Sequence, residues 1–256
     1  MRDSAGLYDP SFEHDACGLG TVVSLDGVAS HGVVEQALTV LERLDHRGAT
    51  GADPETGDGA GILIQMPHRF LARVAAEAGL DLPAAGDYGI GMVFLPHDAE
   101  QRLRCSEIAV RTVAEEGHRA VGWREVPVVP EAIGPLARET APIVRQLIIE
   151  RRHGSADDFE RKLYVIRRRI QKAVHAAGIA DSDFAIPSMS AKTVVYKGLL
   201  RATQVRAYYP DLTDPDVESA LALVHSRFST NTLGTWDLAH RVDLAVVRDQ
   251  VERVRE

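Results

Sequence analysis

Short apolar segments that fit β-strands alternate with amphipathic segments that fit α-helices along most of this chain. The run YGIGMVFLP at 88–96 is a compact strand pattern, and residues 99–116 after it fit a helix. The strand-like run APIVRQLIIER at 141–151 precedes a helical pattern over 156–178, which acidic residues open and a glycine closes. Because many of the strands are short and linked by turns, the sequence predicts a layered architecture, either α+β or α/β/β/α.

Three local expectations are specific enough to compare with a structure. A strand is predicted over Thr21–Leu25, and residues 217–232 are predicted to pass from a short helix into a strand. The adjacent arginines 167–169 spread around the axis of the predicted 156–178 helix, which favours a solvated helix face over a nucleic-acid site.

Composition and charge exclude several classes of function. The 256 residues carry a formal charge of −8, which disfavours binding to phosphate backbones, so no nucleic-acid partner is expected. No apolar run approaches the roughly 20 residues that cross a bilayer. Residues 1–16 lack the apolar stretch of a secretory signal, so the sequence predicts a cytoplasmic location without a membrane partner.

The two cysteines, Cys17 and Cys105, exclude a disulfide framework and a metal–thiolate site. The ten histidines show no i, i+4 pairing, so no metal site is expected. Cys17, in the run EHDACGLG at 13–20, is then explained either by reactivity or by packing as a small buried side chain.

Two arginines stand in segments that suit ligand binding. Arg47 lies in a loop with four glycines between positions 48 and 59, where it would either place a positive charge near a thiolate or face solvent in a turn. Arg227 precedes the polar run 229–232, so its guanidinium could bind a carboxylate while hydroxyl and amide groups satisfy a small zwitterion. The alternative at Arg227 is a polar exit from a strand.

Four segments together resemble one family. GLYDPSFEHDACGLGTV, LERLDHRGATGADPETGDGAGILIQMP, SAKTVVYKGLL and HSRFSTNT, in that order, are similar to the N-terminal glutamine amidotransferase domain of glutamate synthase large subunits. The resemblance covers residues 7 to about 240. It implies an N-terminal nucleophile (Ntn) hydrolase fold, a four-layer α/β/β/α sandwich, and an enzyme that hydrolyses L-glutamine to glutamate and ammonia for transfer to 2-oxoglutarate.

The resemblance also implies roles for individual residues. Removal of the leader 1–16 would make Cys17 the first residue, with a free α-amino group whose pKa of about 7.7–8.0 suits it to accept the thiol proton. Arg227 would hold the glutamine α-carboxylate, Phe228 and Thr230 would shape the pocket, and Arg47 would lie near the new amino terminus.

The resemblance divides the chain into the leader 1–16, a partial amidotransferase domain over 17–240 and a divergent tail over 241–256. The family's oxyanion hole uses an Asn-Gly pair, and this sequence contains none. We therefore hypothesise that the domain is incomplete at its C-terminus through truncation or a frame shift. The alternatives to an active glutaminase are a catalytically inactive fragment and a glutamine-binding module without an oxyanion hole.

No cofactor or metal is expected in this chain itself. FMN and an iron–sulfur cluster are implied for the full-length parent enzyme. The implied partners are downstream synthase domains and a small electron-supplying subunit.

Overall fold

The structure is a computed structural model that describes residues 18–48, 53–226 and Trp236, with the side chain of Arg47 outside that description. The strands in the described part are β1 (Gly18–Val23), β2 (Ala60–Gln65), β3 (Tyr88–Leu95), β4 (Arg119–Glu125), β5 (Ile143–Glu150), β6 (Ala185–Ser190), β7 (Thr193–Gly198) and β8 (Leu221–Ser226). The α-helices are α1 (His31–Arg43), α2 (His68–Glu77), α3 (Ala99–Glu115), α4 (Pro135–Glu139), α5 (Ala156–Ala176) and α6 (Val205–Tyr208). Short 3₁₀ helices cover Asp45–Arg47, Pro130–Ala132, Ala202–Gln204 and Pro210–Thr213.

The strands of the described residues form two four-stranded antiparallel sheets. The first sheet has the order β1-β8-β2-β7 and the second has the order β4-β5-β3-β6. The consecutive strands β6 and β7 lie in different sheets and bring the two sheets together at one side. The predicted α+β class, with two sheets and flanking helices, is confirmed.

The second sheet is covered on both faces, as β3 shows. All eight residues of β3 are buried. Its side chains alternate, so Ile90, Met92 and Phe94 join the core shared with the first sheet and α1. Val93 and Leu95 join a separate core formed with α3 and α5. Each such buried side chain stabilises the fold by about 1.5–3 kcal/mol relative to an exposed one.

The long helix α5 forms where the sequence predicts it, for local reasons. Ser155 and Asp158 form a capping box at its start, in which the Ser155 hydroxyl accepts a hydrogen bond from the Asp158 amide at 3.2 Å. Its buried side chains recur at helical spacing and face the second sheet: Phe159, Leu163, Ile166, Ile170 and Val174. Gly178, with φ of 81°, ends the segment in the left-handed conformation that glycine favours.

Two of the local predictions need correction. Residues 217–220 form no helix, because Ser219 is held by distant partners: its amide donates to the Ser30 carbonyl at 3.2 Å and its hydroxyl accepts from the Gln65 amide at 3.0 Å. The first strand begins at Gly18 rather than Thr21, because Gly18 pairs with Ser226 of β8.

The arginine run 167–169 is only partly solvated. Arg168 and Arg169 are exposed, as the helical pattern predicts. Arg167 is only half-exposed, and its Nε atom is buried with no hydrogen-bond partner among the residues that the structure describes. Burial and the neighbouring charge of Arg168 lower the pKa of the Arg167 guanidinium. One arginine of the three therefore turns towards the protein.

Candidate active site

Four strand ends meet at one end of the first sheet. Gly18, the first residue of β1, is paired with Ser226, the last residue of β8. Ser226 is also paired with Ala60, which begins β2, and Ala60 with Gly198, which ends β7. Because the strands are antiparallel, the first residues of β1 and β2 and the last residues of β7 and β8 lie side by side in one row. We call this row the sheet end.

Most of the site residues predicted from the sequence follow or precede the residues of this sheet end in the sequence. They lie outside the described residues. Cys17 directly precedes Gly18, and Arg227, Phe228 and Thr230 follow Ser226. Arg47 is the last residue of the 3₁₀ helix Asp45–Arg47, and only its backbone is described.

The structure does bring the Arg47 loop to the end of β8. A Cβ atom added to Gly48 would lie 3.4 Å from the Ser226 Oγ. The residue after Arg47 and the residue before Arg227 are therefore in contact distance, although they are far apart in sequence. No helical or strand periodicity predicts this approach.

A solvent-open cleft of about 350 Å³ lies beside the sheet end. Its walls are the Asp45–Gly48 turn, the loop 57–59, residues 200–202 and Ser226. The cleft thus connects the end of β8 with the glycine-rich loop that the sequence marks as a ligand-binding candidate.

An ion pair organises the cleft wall. An Nη atom of Arg201 lies 2.7 Å from an Asp45 carboxylate oxygen, and both side chains are about one-third exposed. The hydrogen bond from Arg201 to Asp45 raises the pKa of the Arg201 guanidinium. The sequence analysis missed both residues, because no local pattern separates this pair from ordinary surface charges.

Hydrogen bonds and a close backbone approach connect the loop before β2 to the residues after β7. Gln204 accepts a hydrogen bond from the Arg201 amide at 2.8 Å and donates one to the Glu55 carbonyl at 2.7 Å. Gly57 lies so close to this segment that an added Cβ would be 2.5 Å from the Leu200 carbonyl oxygen. Glycine at this position therefore permits a backbone approach that a side chain would block.

Trp236 lies against the same end of β7. An added Cβ on Gly198 would be 2.4 Å from the Trp236 ring. The indole N–H donates to the Ala137 carbonyl at 2.9 Å, and the ring packs edge-on against Phe94 with centroids 5.6 Å apart. Trp236 is thus packed into the core that the two sheets share.

Two basic side chains lie one position inside the sheet end. Lys197 of β7 and His225 of β8 are both paired with Gly61 of β2, on its two sides. Lys197 is 3% exposed, and burial, reinforced by the charge of Arg167, lowers the pKa of its amine to about 7. Burial and the Lys197 charge lower the pKa of the His225 imidazole.

Neither a metal cluster nor a membrane-spanning helix is found in the part of the chain that the structure describes. Within residues 18–48, 53–226 and Trp236, no group of three or more His, Cys, Asp or Glu side chains is placed to hold a metal ion. Over the same residues, no helix combines the length and apolar character that crossing a bilayer requires.

Comparison with known proteins identifies the class of protein. The family model for class-II glutamine amidotransferases matches residues 17–247, so the match begins at Cys17 and includes both sheets. The chain belongs to the class-II glutamine amidotransferase family, as its resemblance to that domain predicts.

Matches to individual proteins give more detail than the match to the family model. The chain is 43% identical over 257 residues to the glutamate synthase [NADPH] large chain of Bacillus subtilis (strain 168), covering 100% of this chain and 17% of the relative. It is 40% identical over 256 residues to the glutamate synthase [NADPH] large chain of Azospirillum brasilense, covering 98% of this chain and 17% of that relative. It is 39% identical over 236 residues to the ferredoxin-dependent glutamate synthase 1 of Arabidopsis thaliana, covering 92% of this chain and 14% of that relative. The chain therefore spans about one-sixth of the length of these relatives.

Proposed function

We propose that this chain is the glutamine-hydrolysing part of a glutamate synthase, releasing ammonia from L-glutamine. The pairing of Gly18 with Ser226 is the observation that supports it most directly. Each of the two paired residues is covalently bonded to a neighbour in the sequence, one before Gly18 and one after Ser226. Those residues are Cys17, the proposed nucleophile, and Arg227, the proposed carboxylate ligand.

The proposed reaction is acyl transfer through a thioester. After removal of the leader 1–16, the α-amino group of Cys17 takes the thiol proton. The sulfur attacks the side-chain amide carbon of glutamine, and the C–N bond breaks as the nitrogen receives a proton and leaves as ammonia. Water then cleaves the thioester, which gives glutamate and regenerates the thiol.

The remaining site residues bind the substrate in this proposal. Arg227 forms paired hydrogen bonds to the glutamine α-carboxylate, Phe228 and Thr230 shape the pocket, and Arg47 supplies positive charge near the amino terminus. The contact of Gly48 with Ser226 supports the last assignment, because it places the backbone of the Arg47 loop at the end of β8.

The rest of the proposed enzyme lies outside this chain. Its synthase segments would combine the ammonia with 2-oxoglutarate, hold FMN and an iron–sulfur cluster, and receive electrons from a small subunit. The donor set of this chain does not fit such a cluster: four cysteine thiolates are usual, whereas this chain has two cysteines and Cys105 is buried in α3. A cytoplasmic location remains a prediction.

Within the proposed division into a leader 1–16, a domain 17–240 and a tail 241–256, removal of the leader is tested by the intact mass of the purified chain. Removal of the leader gives the mass of residues 17–256. Retention of Met1 in the purified, active protein would contradict a free Cys17 amine.

Covalent labelling tests the nucleophile. A thiol-reactive glutamine analogue is expected to modify Cys17, and Cys17→Ala should lose ammonia release from glutamine by at least about 10³-fold, as for other nucleophile removals. Cys105 is the internal control, because it is fully buried and burial raises the pKa of its thiol to about 11. Mass spectrometry of the digested protein locates the label.

Other outcomes of the activity and binding measurements would support the alternatives to an active glutaminase. Glutamine binding without turnover, measured by calorimetry, would indicate a glutamine-binding module. Neither binding nor turnover by a folded chain would indicate an inactive fragment. Equal labelling of Cys17 and Cys105 would contradict the assignment of the nucleophile.

A further inference from the structure

The guanidinium of Arg201 contacts two different walls of the cleft. One Nη atom donates to an Asp45 carboxylate oxygen at 2.7 Å, and the other makes a longer contact of 3.4 Å with the Pro54 carbonyl oxygen. Asp45 begins the 3₁₀ helix Asp45–Arg47, and Pro54 belongs to the loop before β2. Because Arg201 itself follows β7, one side chain connects three segments that are separate in sequence.

The backbone of Arg201 is held against the loop before β2. Its amide donates to the Gln204 side chain at 2.8 Å, and that side chain donates to the Glu55 carbonyl at 2.7 Å. Gln204 is buried, so these bonds are protected from competition with water. A Cβ atom added to Gly57 would lie 2.6 Å from the Arg201 nitrogen. The guanidinium therefore extends towards Asp45 from a backbone that is already fixed.

The Asp45 carboxylate connects Arg201 to the turn that contains Arg47. The Leu44 amide donates to the Leu41 carbonyl at 2.9 Å, at the end of α1. The Gly48 amide donates to the Asp45 carbonyl at 3.0 Å and closes the turn. Asp45 thus holds the turn through its backbone and is held by Arg201 through its side chain.

The partners of the Arg201 guanidinium favour a positioning role over contact with substrate. The hydrogen bond to Asp45 raises the pKa of the guanidinium, so the group stays charged at any assay pH. The Asp45 carboxylate balances that charge, so the pair offers no net charge to a substrate carboxylate. Both side chains are about one-third exposed, which places the pair at the border of the cleft.

We propose that Arg201 is a positioning residue of the candidate active site, which holds the Asp45–Arg47 turn and the loop before β2 at the spacing that glutamine binding requires. This inference rests on the proposed function for the identity of glutamine as the ligand of the cleft. It assigns Arg201 no contact with substrate and no proton-transfer step. Because a partly exposed ion pair adds little to overall stability, its loss should change the cleft more than the fold.

Hydrogen exchange of the full chain tests the positioning itself, independently of activity. The Gly48 and Thr56 amides are the reporters, because each donates to a backbone carbonyl within its own cleft wall, at 3.0 and 3.1 Å. In Arg201→Met, exchange in peptides that cover 44–48 and 53–59 is expected to become roughly fivefold faster, as for the loss of an exposed ion pair from a locally opening segment. Mass spectrometry of the digested protein measures the rates.

Steady-state kinetics test the connection to glutamine. In Arg201→Met, the KM for glutamine is expected to rise by roughly tenfold, because a displaced wall no longer matches the substrate. Asp45→Asn removes the same ion pair from the other side and should raise KM to a similar value, and the double variant should add little more. A merely structural role would reduce the folded fraction, which lowers the measured kcat and leaves KM unchanged.

Arg206→Met is the matched control. Arg206 lies on α6 and donates to Glu42 of α1 at 2.9 Å, and the side chains of this pair are about as exposed as those of Arg201 and Asp45. Neither Arg206 nor Glu42 is among the residues that line the cleft. This variant should leave both the KM for glutamine and the exchange of the two cleft segments at their wild-type values.

Wild-type exchange in both Arg201→Met and Asp45→Asn would overturn the inference, as would equal changes in Arg206→Met. Faster exchange with an unchanged KM would also overturn it, because the spacing of the walls would then not matter for glutamine. Failure of the proposed function has a different signature. In that case the wild-type chain releases no ammonia from glutamine, and the exchange rates alone decide whether Arg201 holds the two walls.

Discussion

Lys197 is 3% exposed and interacts electrostatically with His225 of β8 and Arg167 of α5, and burial lowers the pKa of its amine to about 7. A lysine in a strand-like run such as TVVYKG gives no sign of this, because lysines are nearly always exposed. Its environment is set by residues 28 positions away on β8 and 30 positions away on α5. At the scale of the residue, the sequence identifies chemical groups, and the fold determines their protonation.

The depressed pKa predicts a pH-dependent stability. An unfolded lysine titrates near 10.5, so between pH 7 and about 10.5 the unfolded chain binds more protons than the folded chain at this site. The free energy of unfolding of the wild type should therefore rise with pH across that window. Relative to Lys197→Met, the slope should approach, and not exceed, about 1.4 kcal/mol per pH unit.

Urea unfolding at pH 6, 7.5 and 9 measures this slope. Lys192→Met is the matched control: Lys192 is exposed and its hydrogen bond to Asp157 raises the pKa of its amine, so it does not titrate in this range. Identical pH dependence in the wild type and Lys197→Met would contradict the burial of a titrating amine.

At the scale of the element, local patterns predict the helices better than the strand boundaries. The capping box at Ser155 and the apolar spacing along α5 are encoded within the helix itself. By contrast, the start of β1 and the loss of a helix at 217–220 follow from pairing with Ser226 and Ser30, which lie far away in sequence. The loop 53–59 is a further case, because its conformation depends on residues 200–204.

Substitution of Gly57 tests this loop contact. In Gly57→Ala the new methyl group would lie 2.5 Å from the Leu200 carbonyl oxygen and 2.6 Å from the Arg201 nitrogen, so the backbone must move. We expect a loss of about 1–3 kcal/mol in the free energy of unfolding, measured by urea denaturation. Loss of glutamine turnover should accompany it, since the loop borders the cleft.

Gly32→Ala is the control for that experiment. Gly32 lies in α1, and the nearest atom to an added Cβ is the Ser30 hydroxyl at 3.6 Å. Alanine should stabilise the helix there by up to about 1 kcal/mol. A Gly57→Ala protein as stable as the wild type would show that the approach to Leu200 is not required.

At the scale of the whole molecule, a buried ion pair connects segments from both sheets. Arg124 of β4 donates to both carboxylate oxygens of Asp211, each at 2.8 Å, and to Gln146 of β5 at 2.9 Å. The hydroxyl of Tyr196 on β7 donates to Asp211 at 3.0 Å. The pair is 7% and 3% exposed, so both charges depend on each other for compensation.

Removal of one charge of this pair should therefore lower the free energy of unfolding. In Asp211→Asn, Arg124 stays buried without a carboxylate, and we expect the free energy of unfolding to fall by about 3–5 kcal/mol. Chemical denaturation with a spectroscopic readout measures the change. Arg161→Ala, which removes an exposed pair with Asp158, should change stability by less than about 1 kcal/mol.

A double variant distinguishes charge burial from packing. Arg124→Met combined with Asp211→Leu removes both charges, so it should be less destabilised than Asp211→Asn. Greater destabilisation in the double variant would show that the pair acts mainly through its shape and hydrogen bonds.

The sequence by itself determined the α+β class, the main helices, the family, and the candidate residues Cys17, Arg47 and Arg227. These follow from periodicity, capping and motif order, all of which are properties of neighbouring residues. Only the tertiary structure decided which strand ends meet, which arginine pairs with Asp211 and which lysine is buried. Those features join residues separated by long stretches of chain, and they depend on sheet register, in which a shift of one residue moves every side chain to the opposite face.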